Sequence, residues 1–285
     1  MELKKALYVV ATPIGNMGDI TLRALEVLRR CDCIVCEDTR NSLKLLNFYG
    51  IKSRNIKVYN DNSDDHRRDS IVSFIQKGNS AAMISDAGTP LISDPGYRLL
   101  KSCRDSAVEI IPIPGSSACI AAMSVSCLGS DRFLFVGFLP SSLGQRKQEL
   151  SELLERKESI ICYESPLRLI STLEIIANLD GERVICVARE LTKIFEDIKT
   201  GKVIEILDYY REKFSLEKAR GEIVIIIERT NRPKKLDFNN MDNILKLSLK
   251  YLSIKNSAEL FSKVFGISKG KVYDRLLFLG KRHEY

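Results

Sequence analysis

Ser85-Asp86-Ala87-Gly88-Thr89-Pro90-Leu91-Ile92-Ser93-Asp94-Pro95-Gly96 is the stretch of the sequence that decides the fold. A short apolar run at 81–84, typical of a buried strand, precedes it, and a helical pattern from Tyr97 to Ser106 follows it. A strand therefore ends on a polar loop rich in glycine and proline. Ligands of open α/β sheets bind outside such strand ends, so the stretch favours a binding loop. Its composition alone also allows a two-turn connection that binds nothing.

The rest of the first part of the chain repeats this alternation of strand and helix. We predict strands at Ala6–Ala11, Ile34–Cys36, Lys57–Asn60, Ala81–Ile84 and Val108–Pro112. We predict helices from a cap at Asp19 or Thr21, through Leu43 to Leu46, from Arg68 to Lys77 and from Tyr97 to Ser106. Short connections between such elements predict a mostly parallel sheet, in an N-terminal α/β domain over residues 1–116. The polar loops at the strand ends are then expected to meet along one edge of that sheet.

The second part of the chain has sequential strands and, by its pattern, fewer helices. Strands are expected at Phe133–Pro140, Ser159–Tyr163, Arg183–Ala188, Phe195–Thr200 and Glu222–Glu228. Helices are expected at Ser141–Arg156 and up to Leu179, and Lys213–Arg220 is a charged helical or loop segment. We interpret residues 117–232 as a second αβ domain with a mixed sheet.

A polar linker, Arg229–Leu236, leads into a basic helical region over residues 237–285. Three helices are predicted there, at Asn240–Tyr251, Ser257–Val264 and Lys269–Phe278. The last two are joined by a short turn at Gly266, with Ser268 as a cap, which is the helix-turn-helix pattern. The cations of this region are Lys263, Lys269, Lys271, Arg275, Lys281 and Arg282. They favour a nucleic-acid contact, with a dimer-facing or merely solvated tail as the alternative.

Composition restricts the class of protein. The chain has 285 residues and a net charge of +7, which suits an anionic partner or simple solubility. Its eight cysteines lie mostly in apolar runs, and the cluster Cys31, Cys33 and Cys36 lacks the second pair that a metal site usually needs. We therefore expect no bound metal. The N-terminus runs directly into a strand and no apolar run is long enough for a membrane span, which predicts a cytoplasmic protein with reduced thiols.

The sequence lacks the residues that several common classes of enzyme and cofactor site require. There is no G-x-G-x-x-G after the first strand and no G-x-x-x-x-G-K-[ST], which argues against dinucleotide binding and P-loop chemistry. With His66 and His283 as the only histidines, a Ser-His-Asp triad is improbable. The remaining candidates are small rigid loops at 13–15, 86–90 and 114–118. Such loops suit a ligand that is held by its edges and that supplies the reactivity itself.

Seven separated motifs occur in one order and carry a family resemblance. They are Ala11-Thr12-Pro13-Ile14-Gly15-Asn16, Asp19-Ile20-Thr21, Glu37-Asp38-Thr39-Arg40, Ser85 to Gly96, Gly137-Phe138-Leu139-Pro140, Tyr163-Glu164-Ser165-Pro166 and Ala188-Arg189-Glu190-Leu191-Thr192-Lys193. Together they resemble the ribosomal RNA small subunit methyltransferase I family, within the tetrapyrrole-methylase-like superfamily. Two positions depart from the family pattern: Ser116 stands where proline is usual, and Leu167 where histidine is frequent.

The resemblance implies an α/β fold with two αβ domains, a cofactor cleft between them and a small helical C-terminal domain of helix-turn-helix type. It implies S-adenosylmethionine as cofactor, and transfer of its methyl group to a ribose 2'-hydroxyl of one cytidine in the decoding region of 16S ribosomal RNA. It also implies a homodimer whose partner is small-subunit ribosomal RNA or the small ribosomal subunit. The residues implied in cofactor binding are Pro13, Ile14, Gly15, Asp86, Ala87, Gly88, Thr89, Pro90, Ile92, Ser116, Ser117, Tyr163, Ala188 and Glu222.

The catalytic candidates lie in the charged loops of these motifs. Glu37, Asp38 and Glu190 are candidates for a general base, and Arg40 and Arg189 for holding the phosphates beside the target. For each of these residues a structural ion pair is the alternative. Two other functions stay open: methylation of a small tetrapyrrole-type substrate, and a non-enzymatic RNA-binding assembly factor. The 37–40 motif and the basic tail argue against the first of these.

Overall fold

A computed structural model describes residues 3–52, 55–60, 65–230 and 238–280. The chain divides into two compact units, Met1–Asn231 and Arg232–Tyr285. The first unit contains two five-stranded sheets, and the second consists of helices in its described part. Within the described part of the chain, no helix combines the length and apolarity that a bilayer crossing needs.

The first sheet is parallel throughout, as the sequence predicts. Its strands are β1 (Ala6–Val10), β2 (Cys33–Cys36), β3 (Ile56–Val58), β4 (Ala81–Ile84) and β5 (Glu109–Ile113). Its helices are α1 (Leu22–Arg30), α2 (Thr39–Phe48), α3 (Asp65–Gln76) and α4 (Tyr97–Asp105). The strand order is β3-β2-β4-β1-β5, so the loops after β1 and β4 are neighbours at the carboxyl edge. This arrangement confirms that the polar loops gather along one edge.

Both faces of this sheet are covered, which explains its continuous apolar strands. Along β1, Ala6, Tyr8 and Val10 pack with α1, whereas Leu7 faces the opposite core formed with α3 and α4. Local signals define the helix starts. The Thr21 side chain accepts a hydrogen bond from the N–H of Ala24 and caps α1, as predicted.

The second sheet is mixed, also as predicted. Its strands are β6 (Phe133–Phe138), β7 (Ser159–Glu164), β8 (Val184–Arg189), β9 (Asp197–Lys202) and β10 (Ile223–Ile227). The helices of this part are α5 (Ala118–Val125), α6 (Leu143–Leu153), α7 (Pro166–Leu179) and α8 (Val203–Leu216). In the order β6-β7-β10-β8-β9, only β6 and β7 pair in parallel, and the other pairs are antiparallel.

The expectation of fewer helices in this half is wrong, because it overlooks α8. This helix buries Val203, Ile206, Leu207 and Tyr210 against the second sheet. It begins directly after β9, with Lys202 at the N-cap instead of a serine, threonine, asparagine or aspartate. Neither a proline nor a usual capping residue therefore marks its start. The predicted segment 213–220 covers only the end of α8 and the loop after it.

The second unit contains α9 (Phe238–Ser248), α10 (Ile254–Phe265) and α11 (Lys269–Gly280), as predicted. Gly266 ends α10 in the left-handed conformation, and the Ser268 hydroxyl accepts a hydrogen bond from the N–H of Lys271 at the start of α11. A small apolar core that includes Leu245, Phe261 and Leu276 holds the three helices together. The predicted cations Lys281 and Arg282 and most of the predicted linker lie outside the described residues.

Gly15 lies at a close contact between loops from the two sheets of the first unit. A Cβ at this position would lie 2.5 Å from Cγ of Lys193, 2.7 Å from Oγ1 of Thr192 and 2.9 Å from the carbonyl oxygen of Leu191. The adjacent N–H of Asn16 donates to Thr192 Oγ1 at 3.0 Å. The loop after β1 therefore contacts the loop after β8 so closely that a side chain does not fit between them.

We expect Gly15→Ala to lower the free energy of unfolding by about 1–3 kcal/mol, because the added methyl group overpacks this contact. Urea unfolding followed by circular dichroism measures the change. Gly144→Ala is the control, since a Cβ there meets nothing within 4 Å and Gly144 lies in α6. An equal loss in both variants, or none for Gly15→Ala, would contradict the account.

Candidate active site

A cavity of about 400 Å³, which we call the main cavity for its position, lies between the two sheets of the first unit. A larger cavity of about 720 Å³ lies behind the loop after β8. Gly88, Ile92 and Asp94 from the loop after β4 form one side of the main cavity, and Tyr163 and Ala188 belong to the other. The main cavity therefore lies outside the carboxyl end of β4, where the sequence predicts a ligand.

Hydrogen bonds between loops fix the first side of the cavity. The N–H of Thr12 donates to the carbonyl oxygen of Gly88 at 2.8 Å, and the N–H of Gly88 donates back to Thr12 at 3.0 Å. Gly88 has φ +80°, and a Cβ there would lie 3.3 Å from Cγ2 of Ile14. Glycine thus permits both the left-handed turn and the close approach of the two loops.

Strained backbone occurs on both sides of the cleft. Leu91 and Ser93 have φ +76° and +67° in the loop after β4, and Glu190 and Thr192 have φ +54° and +66° in the loop after β8. Left-handed conformations cost free energy in non-glycine residues and persist where surrounding contacts impose them. Four of the six non-glycine residues with such a φ in the described part of the chain lie in these two loops, so surrounding contacts hold both loops in defined conformations.

Most of the predicted cofactor residues line the main cavity. These are Ile14, Asp86, Ala87, Gly88, Thr89, Ile92, Ser117, Tyr163, Ala188 and Glu222. Pro13 and Gly15 instead line a neighbouring side pocket of about 360 Å³, together with Thr12, Ile14, Met17, Asn41, Leu45, Asp86, Ala87, Lys193 and Glu222. Ser116 supports the cavity from behind, since its carbonyl oxygen accepts a hydrogen bond from Thr89 Oγ1 at 3.0 Å. Pro90 is buried next to Thr89.

Three carboxyl groups make the carboxyl edge of the first sheet acidic. Asp86 and Asp94 line the main cavity, and Glu37 lies beside it in a crevice with Tyr59 and Pro95. Burial raises the pKa of Asp94, and the charge of Asp86 raises it further. Burial likewise raises the pKa of Glu37, with added repulsion from Asp86, Asp94 and Asp38. The edge therefore favours a cation over an anion.

Asp38 and Arg40 form a local pair outside the main cavity. The Asp38 carboxylate accepts hydrogen bonds from the N–H of Arg40 at 2.8 Å, which caps α2, and from the Arg40 guanidinium at 2.6 Å. The hydrogen bond from the Arg40 side chain lowers the pKa of Asp38 to about 2. The Arg40 side chain is largely exposed, so it stays available to solvent-side partners.

Arg189 and Glu190 line a different cavity, behind the loop after β8. The Arg189 guanidinium is buried and donates to the Arg220 carbonyl oxygen at 2.9 Å and to Glu217 at 2.8 Å. Burial tends to raise the pKa of Glu190, but hydrogen bonds from Lys193 and from the Glu222 N–H lower it overall. The structure thus does not bring the five catalytic candidates together in one cavity, and their catalytic roles stay predictions.

Sequence reasoning missed several cavity residues within the motifs that it quoted. Asp94 belongs to the opening stretch, and Phe138 lies in the motif 137–140, with its ring 5.4 Å from that of Tyr163. Leu191 follows the predicted Ala188 in the same motif. Their place in the quoted motifs was the only sign of these residues in the sequence, because a motif does not show which of its side chains face the cavity. Among the described residues, no group of three or more histidine, cysteine or acidic side chains could hold a metal ion.

The cavity suits the expected cofactor, S-adenosylmethionine. Its lining combines apolar side chains such as Ile14, Ala188 and Val224 with polar backbone at Gly88 and carboxylates at Asp86 and Asp94. Apolar walls accept an aromatic base, and the carboxylates favour a positively charged sulfonium. A side chain at residue 88 would reduce the space between the loops, as the 3.3 Å approach to Ile14 shows.

Sequence comparison identifies close relatives over nearly the whole chain. Residues 6–207 match the family described as Tetrapyrrole (Corrin/Porphyrin) Methylases. A protein of Rickettsia prowazekii named ribosomal RNA small subunit methyltransferase I is 43% identical over 278 residues, 96% of each chain. The protein of the same name from Escherichia coli O157:H7 is 39% identical over 268 residues, 94% of this chain and 93% of that one.

Solved structures show the same fold at low identity. Cobalt precorrin-4 methyltransferase superposes with a TM-score of 0.58 at 16% identity, covering 79% of this chain and 95% of that one. Uroporphyrin-III C-methyltransferase from Thermus thermophilus, complexed with S-adenosylhomocysteine, gives 0.53 at 14% identity, covering 78% and 97%. These similarities establish the architecture of the two sheets.

Asp94→Asn is expected to stabilise the protein at neutral pH and to weaken binding of the cationic cofactor. The raised pKa of Asp94 means that its ionisation destabilises the folded state. The stability that protonated Asp94 contributes is lost as pH rises through its folded-state pKa. The melting temperature of the variant is therefore higher than wild type at pH 7.5, and the difference shrinks as the pH falls toward 4.

Calorimetric titration measures the second effect of Asp94→Asn. We expect the Kd for S-adenosylmethionine to rise roughly tenfold, about 1.4 kcal/mol, and the Kd for S-adenosylhomocysteine, which lacks the sulfonium charge, to change less. Asp105→Asn, at an exposed acid at the end of α4, is the control. Equal effects of Asp94→Asn on both ligands would contradict the electrostatic interpretation.

Proposed function

This chain belongs to the tetrapyrrole (corrin/porphyrin) methylase family and, within it, to the ribosomal RNA small subunit methyltransferase I proteins, and on that premise we propose that it methylates small-subunit ribosomal RNA. The methyl donor is S-adenosylmethionine. The acceptor that we propose is the ribose 2'-hydroxyl of one cytidine in the decoding region of the 16S RNA. The match to such relatives over 94–96% of the chain is the observation that carries the proposal.

We propose that the main cavity holds the cofactor. Bound there, S-adenosylmethionine supplies an activated methyl group, so the protein needs no covalent intermediate. Ile14 and the 86–90 loop hold it from the first sheet, and Tyr163, Ala188 and Glu222 from the second. What the protein adds is orientation of a hydroxyl oxygen toward that methyl group, which can supply about 7–11 kcal/mol.

Among the three proposed bases, Glu37 has the pKa best suited to accept a proton, although it lies in the crevice beside the main cavity and lines neither that cavity nor the side pocket. The pKa of Glu37 is raised, mainly by burial, whereas that of Asp38 is lowered by Arg40 and that of Glu190 is lowered by Lys193 and the Glu222 N–H. A carboxylate with a higher pKa accepts a proton more readily near neutral pH. Arg40 is the more accessible of the two proposed phosphate ligands, because the Arg189 side chain is only 8% exposed.

We propose that the helical C-terminal unit grips the RNA backbone. Lys250, Lys255 and Lys271 are exposed, and in the described part of this unit the ion pairs involve other cations, Lys263, Lys269 and Arg275. Exposed lysines of this kind are suited to phosphate contacts.

We also propose a cytoplasmic homodimer. Ile194 and Phe195 at the tip of the loop after β8 are 95% and 75% exposed, which supports a protein contact at that tip. A cytoplasmic location follows from the proposed substrate.

The reaction is tested by incubating purified protein with S-adenosylmethionine labelled in its methyl group and small ribosomal subunits that lack the modification. We expect one labelled 2'-O-methylcytidine in the decoding region, located by nuclease mapping and mass spectrometry. Label on a base atom, or on a tetrapyrrole acceptor and not on RNA, would contradict the proposal. Binding of both ligands without transfer would indicate a non-enzymatic assembly factor.

Replacing Lys250, Lys255 and Lys271 by glutamine is expected to weaken binding to the small subunit without changing the Kd for S-adenosylmethionine. Each phosphate that the variant no longer neutralises should reduce the slope of log K against log salt by about 0.7 for single-stranded RNA. Filter binding at several salt concentrations measures the slope. Removal of residues 237–285 should give a larger effect of the same kind. A salt response identical to wild type in both variants would rule out a backbone grip by this unit.

A further inference from the structure

We propose that the side pocket holds the target nucleoside, extruded from the RNA, with its ribose hydroxyl facing Asp86. This assignment rests on the proposed function and deepens it. The pocket opens beside the loop after β1 and is walled by Pro13, Met17, Asn41, Leu45 and Lys193.

The position of the side pocket supports the assignment. It shares Ile14, Asp86, Ala87 and Glu222 with the main cavity. A ligand in the side pocket and one in the main cavity therefore meet at the same wall. Methyl transfer requires the two reacting atoms to be adjacent, and this shared wall is where the geometry allows it.

The lining of the pocket fits a nucleobase. Pro13, Ile14, Met17 and Leu45 give it apolar walls, and its volume of about 360 Å³ lies in the range of small-molecule sites, about 300–1,000 Å³. Enzymes that act on a base extrude its nucleotide from the stack into such pockets, where aromatic and apolar side chains contact the base.

Charge determines which part of a nucleotide enters. Asp86 and Glu222 are acidic, and the Lys193 ammonium is already paired with Glu190 at 2.7 Å and with Glu222 at 3.0 Å. A phosphate would meet net negative charge in this pocket. The neutral base and ribose are therefore the parts that enter, and the phosphates remain outside.

Asn41 positions the acceptor at the shared wall. Its Nδ2 donates to Oδ2 of Asp86 at 2.9 Å, which fixes the carboxylate against the first turns of α2. A carboxylate held in this way accepts a hydrogen bond from the 2'-hydroxyl of a ribose. A deoxyribose has no hydroxyl on its 2'-carbon and donates no such bond. Asp86 thus accounts for a preference for RNA over DNA.

Blocking the pocket tests the assignment. Met17 is half-buried at the pocket wall, and Met17→Trp fills the space with an indole. We expect kcat/KM for small ribosomal subunits to fall roughly 100-fold, mainly through KM, while the Kd for S-adenosylmethionine stays within about twofold. Leu22→Trp is the control, since Leu22 is 86% exposed and lies outside both cavities.

Asn41→Ala tests the positioning of Asp86 separately. We expect kcat to fall roughly 10-fold with a smaller change in KM, because the carboxylate loses one fixed hydrogen bond. Asn41 is exposed, so we expect Asn41→Ala to fold. Its result therefore holds even if Met17→Trp fails to fold.

A binding measurement gives a readout that does not depend on turnover. With methionine methyl groups labelled by ¹³C, and with S-adenosylhomocysteine present, cytidine should shift the Met17 resonance and leave that of Met241 unchanged. Deoxycytidine at the same concentration should shift it less. Met17→Leu assigns the signal.

The outcomes separate this assignment from the proposed function. A wild-type protein that leaves the small subunit unlabelled contradicts the proposed function. A wild type that labels it while Met17→Trp does so equally well, or cytidine that shifts other methionines and not Met17, overturns the pocket assignment alone.

Discussion

Two loops from different sheets approach each other so closely that only glycine fits at residue 15, and the rest of the site depends on this contact. Gly15 and Asn16 follow β1, whereas Thr192 and Lys193 follow β8. Because the loops touch, the ends of both sheets face one another across the main cavity. Each loop follows a buried strand that anchors it, so the cavity has rigid walls on both sides.

Electrostatics then selects what this rigid cavity binds. The carboxyl edge of the first sheet carries Glu37, Asp86 and Asp94, and the pKa values of Glu37 and Asp94 are raised by burial and by repulsion from neighbouring carboxylates, Asp86 in both cases. Such an edge is less repulsive when a cation lies beside it. A sulfonium provides that positive charge and also carries the reactive methyl group. The charge that favours cofactor binding therefore lies on the same sulfur atom that gives up the methyl group.

The sequence predicts the parts of the site that belong to single loops. The opening stretch lies after β4 as expected, because Gly and Pro turns at a strand end restrict local geometry. Ten of the residues that the family resemblance implies in cofactor binding line the main cavity. The side pocket was not predicted, since Met17 lies before α1 whereas Asn41 and Leu45 lie on α2, and only packing brings the three together. Helix α8 was not predicted, because the residue at its N-cap, Lys202, is not one of the usual capping residues.

A crystal structure of the protein with S-adenosylhomocysteine tests the central claim most directly. We predict ligand density in the main cavity, in contact with the 86–90 loop on one side and with Tyr163 and Ala188 on the other. Ligand bound at any other place, or a main cavity that contains only water at saturating ligand, would contradict it.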